Sequence, residues 1–164
     1  MKRGFTLVEL IIYIAILSVV LLGIVSTMYL VFSARSKAYA VNEVEEQGAL
    51  IMESMARTIR SADAINSPAI ASSSSTLSVA TYDLTKNPTV FDLNANQIRI
   101  KEGDASAVVL NNSRLTVSNL LFTNVSRSGT AGVIKIEFTL SYANPGNAKE
   151  FNYSKTFYSS VALR

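Results

Sequence analysis

Three periods of apolar residues succeed one another along the chain. From Leu10 to Ala34 there are 25 consecutive residues without a charge, almost all of them apolar. In helical form that run reaches ~38 Å, enough to cross a hydrocarbon core of ~30 Å. Beyond Ala34 the pattern turns amphipathic: Val41, Val44, Gly48, Ile51, Met55, Ile59 and Ala62 follow a three-and-four spacing and line one helical face. Glu43, Glu45, Glu46, Glu53, Arg57 and Arg60 fall largely elsewhere, and Glu53 and Arg57 stand four apart in the favourable order. No proline occurs between Phe5 and Ser67. The spacing therefore predicts one helix of roughly 55–60 residues, ~85–90 Å long, ended by Ser67-Pro68.

After Ser72 to Ser75, which read as a flexible connector, the period becomes two. Leu77, Val79 and Thr81 alternate with Ser78 and Ala80, and Ile98 and Ile100 with Arg99 and Lys101. The clearest strand runs from Ile134 to Leu140, apolar on one face and polar on the other. Asn144-Pro145-Gly146-Asn147 supplies a turn, and Phe151, Tyr153, Phe157, Val161 and Leu163 resume alternation, which predicts a C-terminal hairpin. Shorter candidates are Val90–Leu93, Ala107–Leu110 and Leu120–Val125. The expected fold is α+β, a long N-terminal helix whose second half covers one face of an antiparallel sheet. No internal repeat or second domain is visible.

Composition narrows the chemistry. The 164 residues are 49% hydrophobic and 16% charged, with no Cys and no His. Disulfides, thiol chemistry, Ser-His-Asp and Cys-His catalysis and His-bearing zinc sites are excluded. An enzyme here needs a carboxylate-only or Lys/Ser mechanism, for which the sequence shows no constellation; no cofactor is implied. The formal charge is +3, but no Lys/Arg run with interleaved aromatics appears, so no specific nucleic-acid partner is inferred.

Lys2 and Arg3 precede the apolar run and favour a cytoplasmic N-terminus, although Arg35 and Lys37 on the far side weaken the asymmetry. A secretory signal is one reading, with Ala38-Tyr39-Ala40 as a small-x-small site, yet its apolar region is ordinarily ~7–15 residues. A plain membrane anchor is a second. Neither uses Glu9, which stands inside the hydrophobic region at a cost on the order of 2.5–3.5 kcal/mol if it lies at bilayer depth.

Lys2-Arg3-Gly4-Phe5-Thr6-Leu7-Val8-Glu9-Leu10 resembles the class III signal of type IV prepilins and type II secretion pseudopilins, a basic leader ending in Gly, then Phe, then Glu fifth after the scissile bond. The resemblance implies a pilin-like fold. It also implies cleavage between Gly4 and Phe5 and N-methylation of Phe5, both by prepilin peptidase, with the apolar helix retained. It makes Glu9 an assembly residue, meeting the Phe5 amine of a neighbouring subunit, where an opposite charge offsets desolvation. The helix dipole also favours a carboxylate in the first turn. A Glu9 that is merely interfacial or protonated is the alternative.

The layout that follows is a leader over 1–4, a membrane and filament-core helix over 5–34, the amphipathic half over 35–66 and a sheet head over 67–164. The subunit would sit in the inner membrane by a single pass, head outside, before entering a pilus or pseudopilus. Implied partners are prepilin peptidase, other pilin or pseudopilin subunits, the inner-membrane assembly platform and membrane lipid. Met52 to Ile65 and the ending Ser160-Val161-Ala162-Leu163-Arg164 are also similar to J-type minor pseudopilins and W-type minor pilins, which points to a minor subunit. The competing function is a bitopic anchor presenting an extracytoplasmic binding domain.

Other motifs fall short. Asp92-x-Asn94-x-Asn96 matches three positions of a calcium loop, but Gln97 replaces the required Gly and Gly103 the final Glu. A strand-connecting turn is expected instead, and no metal site. Gly129-x-x-Gly132 lacks a following Lys-Ser/Thr and reads as a hairpin turn. Asn111, Asn124 and Asn152 each open an Asn-x-Ser pattern, which is informative only on a glycosylating route.

Overall fold

The computed structural model describes residues 6–164. Its first element, α1, is one unbroken helix of 54 residues, Leu7–Arg60, ~80 Å long. Thr6 caps its start: the Glu9 backbone N–H donates to Thr6 Oγ1 at 3.3 Å. At its other end the Ser61 N–H donates to the Arg57 carbonyl at 3.2 Å, with basic Arg57 and Arg60 in the last turn, where the dipole favours them. The apolar face is built as the spacing predicts, with Val44, Gly48, Ile51, Met55 and Ile59 buried. One member shifts: Ala40 is buried and Val41 only partly.

The helix does not reach residue 66. It stops at Arg60, and the chain turns into a strand, β1 (Ala62–Ser67). Ala62 stays buried, so the stripe continues in sequence while the backbone has left the helix. Two gains offset the lost helical turns. β1 pairs antiparallel with β3 (Leu77–Thr81), which satisfies its backbone groups. Ile65 seats against Gly132, where a Cβ would lie 2.4 Å from the Ile65 Cδ1 atom. Ser67-Pro68 therefore follows a strand and not a helix.

The serine connector is also structured. Ser73–Ser74 form a two-residue strand, β2, paired with Thr123 and Phe122 of β7 (Leu115–Asn124). Ser73 and Thr123 share a hydroxyl–hydroxyl bond of 2.8 Å. The chain thus visits a second sheet between β1 and β3. Strands β4 (Thr89–Asn94), β5 (Gln97–Glu102) and β6 (Val108–Val109) complete the first sheet, in the order β1-β3-β4-β5-β6. The second has the order β2-β7-β8-β9, with β8 at Val133–Tyr142 and β9 at Ser154–Ala162. Every pairing is antiparallel. Two sheets replace the single one expected, because ten-residue strands β7 and β8 and the short strands 77–102 run in different ladders.

One core joins helix and sheets. The stripe of α1 lies on β8, β9 and a 3₁₀ turn at Lys149–Phe151. Ile134, Ile136, Phe138 and Leu140 form the inner face of β8, and Phe91 of β4 meets Phe122 of β7 at 6.4 Å between ring centroids. Two buried asparagines tie the layers together. Asn111 accepts from the Ile98 N–H at 2.9 Å and donates to the Leu115 carbonyl at 3.0 Å. Asn124 donates to the Pro68 carbonyl at 2.8 Å and accepts from the Ser126 N–H at 3.1 Å. Both open Asn-x-Ser patterns, and in the folded head both amides are occupied and covered.

Candidate functional site

The residues of α1 that precede the head are its distinguishing surface. Every residue from Thr6 to Phe32 is exposed, with Leu7 at 75%, Val19 at 70% and Leu22 at 68% of full accessibility. A soluble monomer rarely leaves contiguous apolar area of this extent in water. The run is long and apolar enough to cross a membrane. Two of its polar side chains bond back to the helix: Ser18 and Thr27 donate to the Ile14 and Gly23 carbonyls at 2.8 Å, so neither hydroxyl is left unpaired in a lipid environment.

Of the site residues read from the sequence, Lys2, Arg3, Gly4 and Phe5 lie outside the described residues. Glu9 lies within them, in the first turn of α1 and exposed. Its backbone is bound by Thr6, a contact missed above. Thr6-x-x-Glu9 is the capping-box spacing, and that signal marks the helix start at Thr6.

Where α1 meets the head, Ser33, Glu43 and Glu45 are each held by a side chain of the head. Ser33 contacts Glu150 at 3.5 Å, the first tie between helix and head. Glu43 accepts from the Asn112 amide. Glu45 accepts from Lys155 at 2.5 Å and from Tyr153 at 3.0 Å, and these bonds, Lys155 first, hold its carboxyl below the ordinary glutamate value. Burial, then the bond to Glu45, raises the Tyr153 phenol. Gly48 sits beneath the ring of Phe157, which stacks on Phe138 at 5.4 Å. These contacts fix the direction in which the exposed half of α1 leaves the head.

The remaining motifs resolve as turns. Asp92 forms a two-pronged pair with Arg99 at 2.9 and 2.7 Å, and Ala95 and Asn96 are a two-residue hairpin turn with φ of 47° and 61°. Gly129, with φ of 78°, lies in the connection between β7 and β8. Among the described residues no group of three acidic side chains is placed to hold a metal.

Residues 1–25 match the family model of the prokaryotic N-terminal methylation motif. The match covers the start of α1 and none of the head. The chain therefore carries the class III signal of type IV prepilins and pseudopilins, on an α+β, pilin-like fold. Signal and exposed helix together support a membrane-anchored, pilin- or pseudopilin-like subunit. A comparison with curated proteins gave no match, and a comparison with solved structures gave none either.

Proposed function

We propose that this protein is a structural, non-enzymatic and minor subunit of a type IV filament machine, either a type II secretion pseudopilus or a type IV pilus. Prepilin peptidase cuts between Gly4 and Phe5 and methylates Phe5. The N-terminus stays cytoplasmic, the head lies outside the inner membrane, and the assembly platform lifts the helix out of the bilayer into a bundle. The observation that carries the reading is the exposed apolar half of α1, continuous with the head's own core helix and beginning within a class III signal. A surface of that kind is covered first by lipid and then by other helices like itself.

The test of processing is intact-mass and N-terminal analysis of the chain from cells containing prepilin peptidase. The expected product begins at N-methyl-Phe5; an end at Met1, or near Ala34 or Ala40, overturns the reading. Gly4→Val is expected to accumulate as precursor, because a side chain there keeps the peptidase from the backbone.

A bitopic anchor presenting a binding domain is favoured by one observation: the exposed apolar half of α1 is long enough to span a membrane by itself, with no assembly needed. Glu9→Gln separates the two, since glutamine keeps the cap spacing and loses the charge. In a filament subunit both Glu9→Gln and Glu9→Leu are cleaved and inserted but recovered poorly with sheared filaments or a partner subunit. Equal incorporation of both with wild type returns the anchor.

A further inference from the structure

At the level where α1 enters the head, side chains distant in sequence form an open cleft of about 600 Å³ lined by Arg35, Ser36, Tyr39, Arg114, Tyr142 and Phe151. Its walls are aromatic. Tyr39 meets Tyr142 edge-on at 6.4 Å, and Tyr142 stacks on Phe151 at 5.4 Å. Arg114 lies 5.9 Å over the Tyr39 ring and donates to its hydroxyl. Among the described residues, neither Arg35 nor Arg114 has a carboxylate within 4.0 Å. The acidic groups at this level are turned elsewhere, Glu150 toward Ser33 and Glu43 toward Asn112. Two guanidiniums thus share an aromatic cleft without an anion.

The height of the cleft says what the anion is. If Glu9 marks the inner edge of a ~30 Å hydrocarbon core, the outer edge falls ~20 residues later, near exposed Tyr29. The Arg35 backbone then stands ~9 Å higher, just above a headgroup layer ~5–7.5 Å thick, and its long side chain, tilted toward the helix N-terminus, is able to reach down to the phosphates. Exposed Tyr29, just below Arg35, is of the residue type enriched at membrane–water interfaces. Arg35 and Lys37 also run against the usual cytoplasmic bias of basic residues, and a phosphate partner at the outer surface accounts for that.

We infer that this cleft binds the phosphodiester headgroup of an anionic phospholipid in the outer leaflet, with Arg35 and Arg114 on the phosphate and Tyr39, one helical turn farther from the bilayer, beside the headgroup alcohol. The inference rests on the membrane-anchored reading above. Its effect is to hold the head at a set height and rotation before extraction into a filament. Guanidinium suits this use because its planar fork takes two phosphate oxygens at once.

The test uses the full-length chain in non-ionic detergent, titrated by native mass spectrometry with dihexanoyl phosphatidylglycerol, dihexanoyl phosphatidylcholine or inorganic phosphate. Phosphatidylglycerol is expected to bind at least about ten-fold more tightly than phosphatidylcholine. Arg35→Gln and Arg114→Gln should each weaken it about five-fold, while Arg57→Gln at the far end of α1 leaves it unchanged. Circular dichroism of each variant confirms that the head is folded. Unchanged lipid binding in the double variant overturns the proposal. Inorganic phosphate binding as well as the lipid makes this a free-anion site and likewise overturns it. So does a double variant that keeps the lipid but no longer co-purifies with other pilin subunits, which assigns the cleft to a protein neighbour. If the lipid is not bound yet the chain still partitions into vesicles, the cleft fails and the anchor reading stands; a chain that does not partition fails the anchor reading itself.

Discussion

The two halves of α1 share one backbone and have opposite surroundings. Below Ser33 every side chain is open, including Ile, Leu and Val residues that a soluble fold would bury. Above Ala40 the stripe residues Val44, Ile51, Met55 and Ile59 lie at or near zero exposure, on the side of the helix that packs on β8 and β9. Helix propensity does not separate them. The upper half has a three-and-four stripe because it has one partner on one side, whereas the lower half is apolar all round because its solvent is apolar on every side. An all-round apolar helix with no cover in its own chain is the mark of a segment whose packing partners are other molecules.

The largest effect that tests this contrast comes from removing the lower half. A chain beginning at Arg35 should stay in the supernatant without detergent and keep a mixed helix and strand circular dichroism spectrum, while the full chain needs detergent or lipid. Aggregation or unfolding of the shortened chain would mean that the head depends on the lower half. Next, Ile59→Ala should destabilise the head by about 2–4 kcal/mol, since Ile59 is fully buried. Ile14→Ala, on the open half, should leave chemical unfolding of the head unchanged within about 0.5 kcal/mol.

Gly48→Ala is subtler, because two effects oppose. Alanine gains about 1 kcal/mol in helix propensity, but its Cβ would lie 2.1 Å from the Phe157 ring, and forced repacking costs about 1–3 kcal/mol. A net loss on the order of 1 kcal/mol is expected by thermal unfolding; a gain would show that Phe157 moves freely. The Glu45 clasp gives the smallest effect and a pH signature. Because Lys155 and Tyr153 hold the carboxyl below its ordinary value, its contribution is complete above about pH 4.3 and is lost as pH falls through the lower folded value. The difference in unfolding temperature between wild type and Glu45→Gln should therefore be present at neutral pH and vanish in acid. A difference that is flat across this range would mean that solvent already screens the pair.

The regular parts of this fold were legible in the sequence, and the irregular ones were not. The apolar run, the stripe and the strands at Leu77, Ile98 and Ile134 each keep one period long enough to be read. β1 was read as helix because Ala62 continues the stripe and its strand pairing is interrupted twice, between Ala62 and Ala64 and between Ile65 and Ser67. The first half of β7 was missed for a related reason. An irregularity between Ser118 and Leu121, with Asn119 at a φ of 54°, moves the buried positions from Val117 to Leu120 and breaks the alternation. The class III signal is contiguous and was legible whole. The cleft at the base of the head is assembled from Arg35, Tyr39, Arg114, Tyr142 and Phe151, and no spacing along the chain announces it.

The clasp between Glu45 and Lys155 also has a meaning in time. The two residues are 110 positions apart, and the strands that cover the α1 stripe are β8 and β9. At about 5–20 residues per second, roughly 5–20 s pass between synthesis of the stripe and synthesis of its cover. During that interval Val44, Ile51, Met55 and Ile59 have no native partner from the second sheet, so the order of synthesis predicts a stage vulnerable to proteases. Chains arrested before Ser154 should be cut within residues 41–60, and chains released beyond Ala162 should resist there; equal resistance would mean that β7 and β8 suffice. The order of synthesis thus makes the apolar half of α1 before any strand of the head, and the cover of the stripe last.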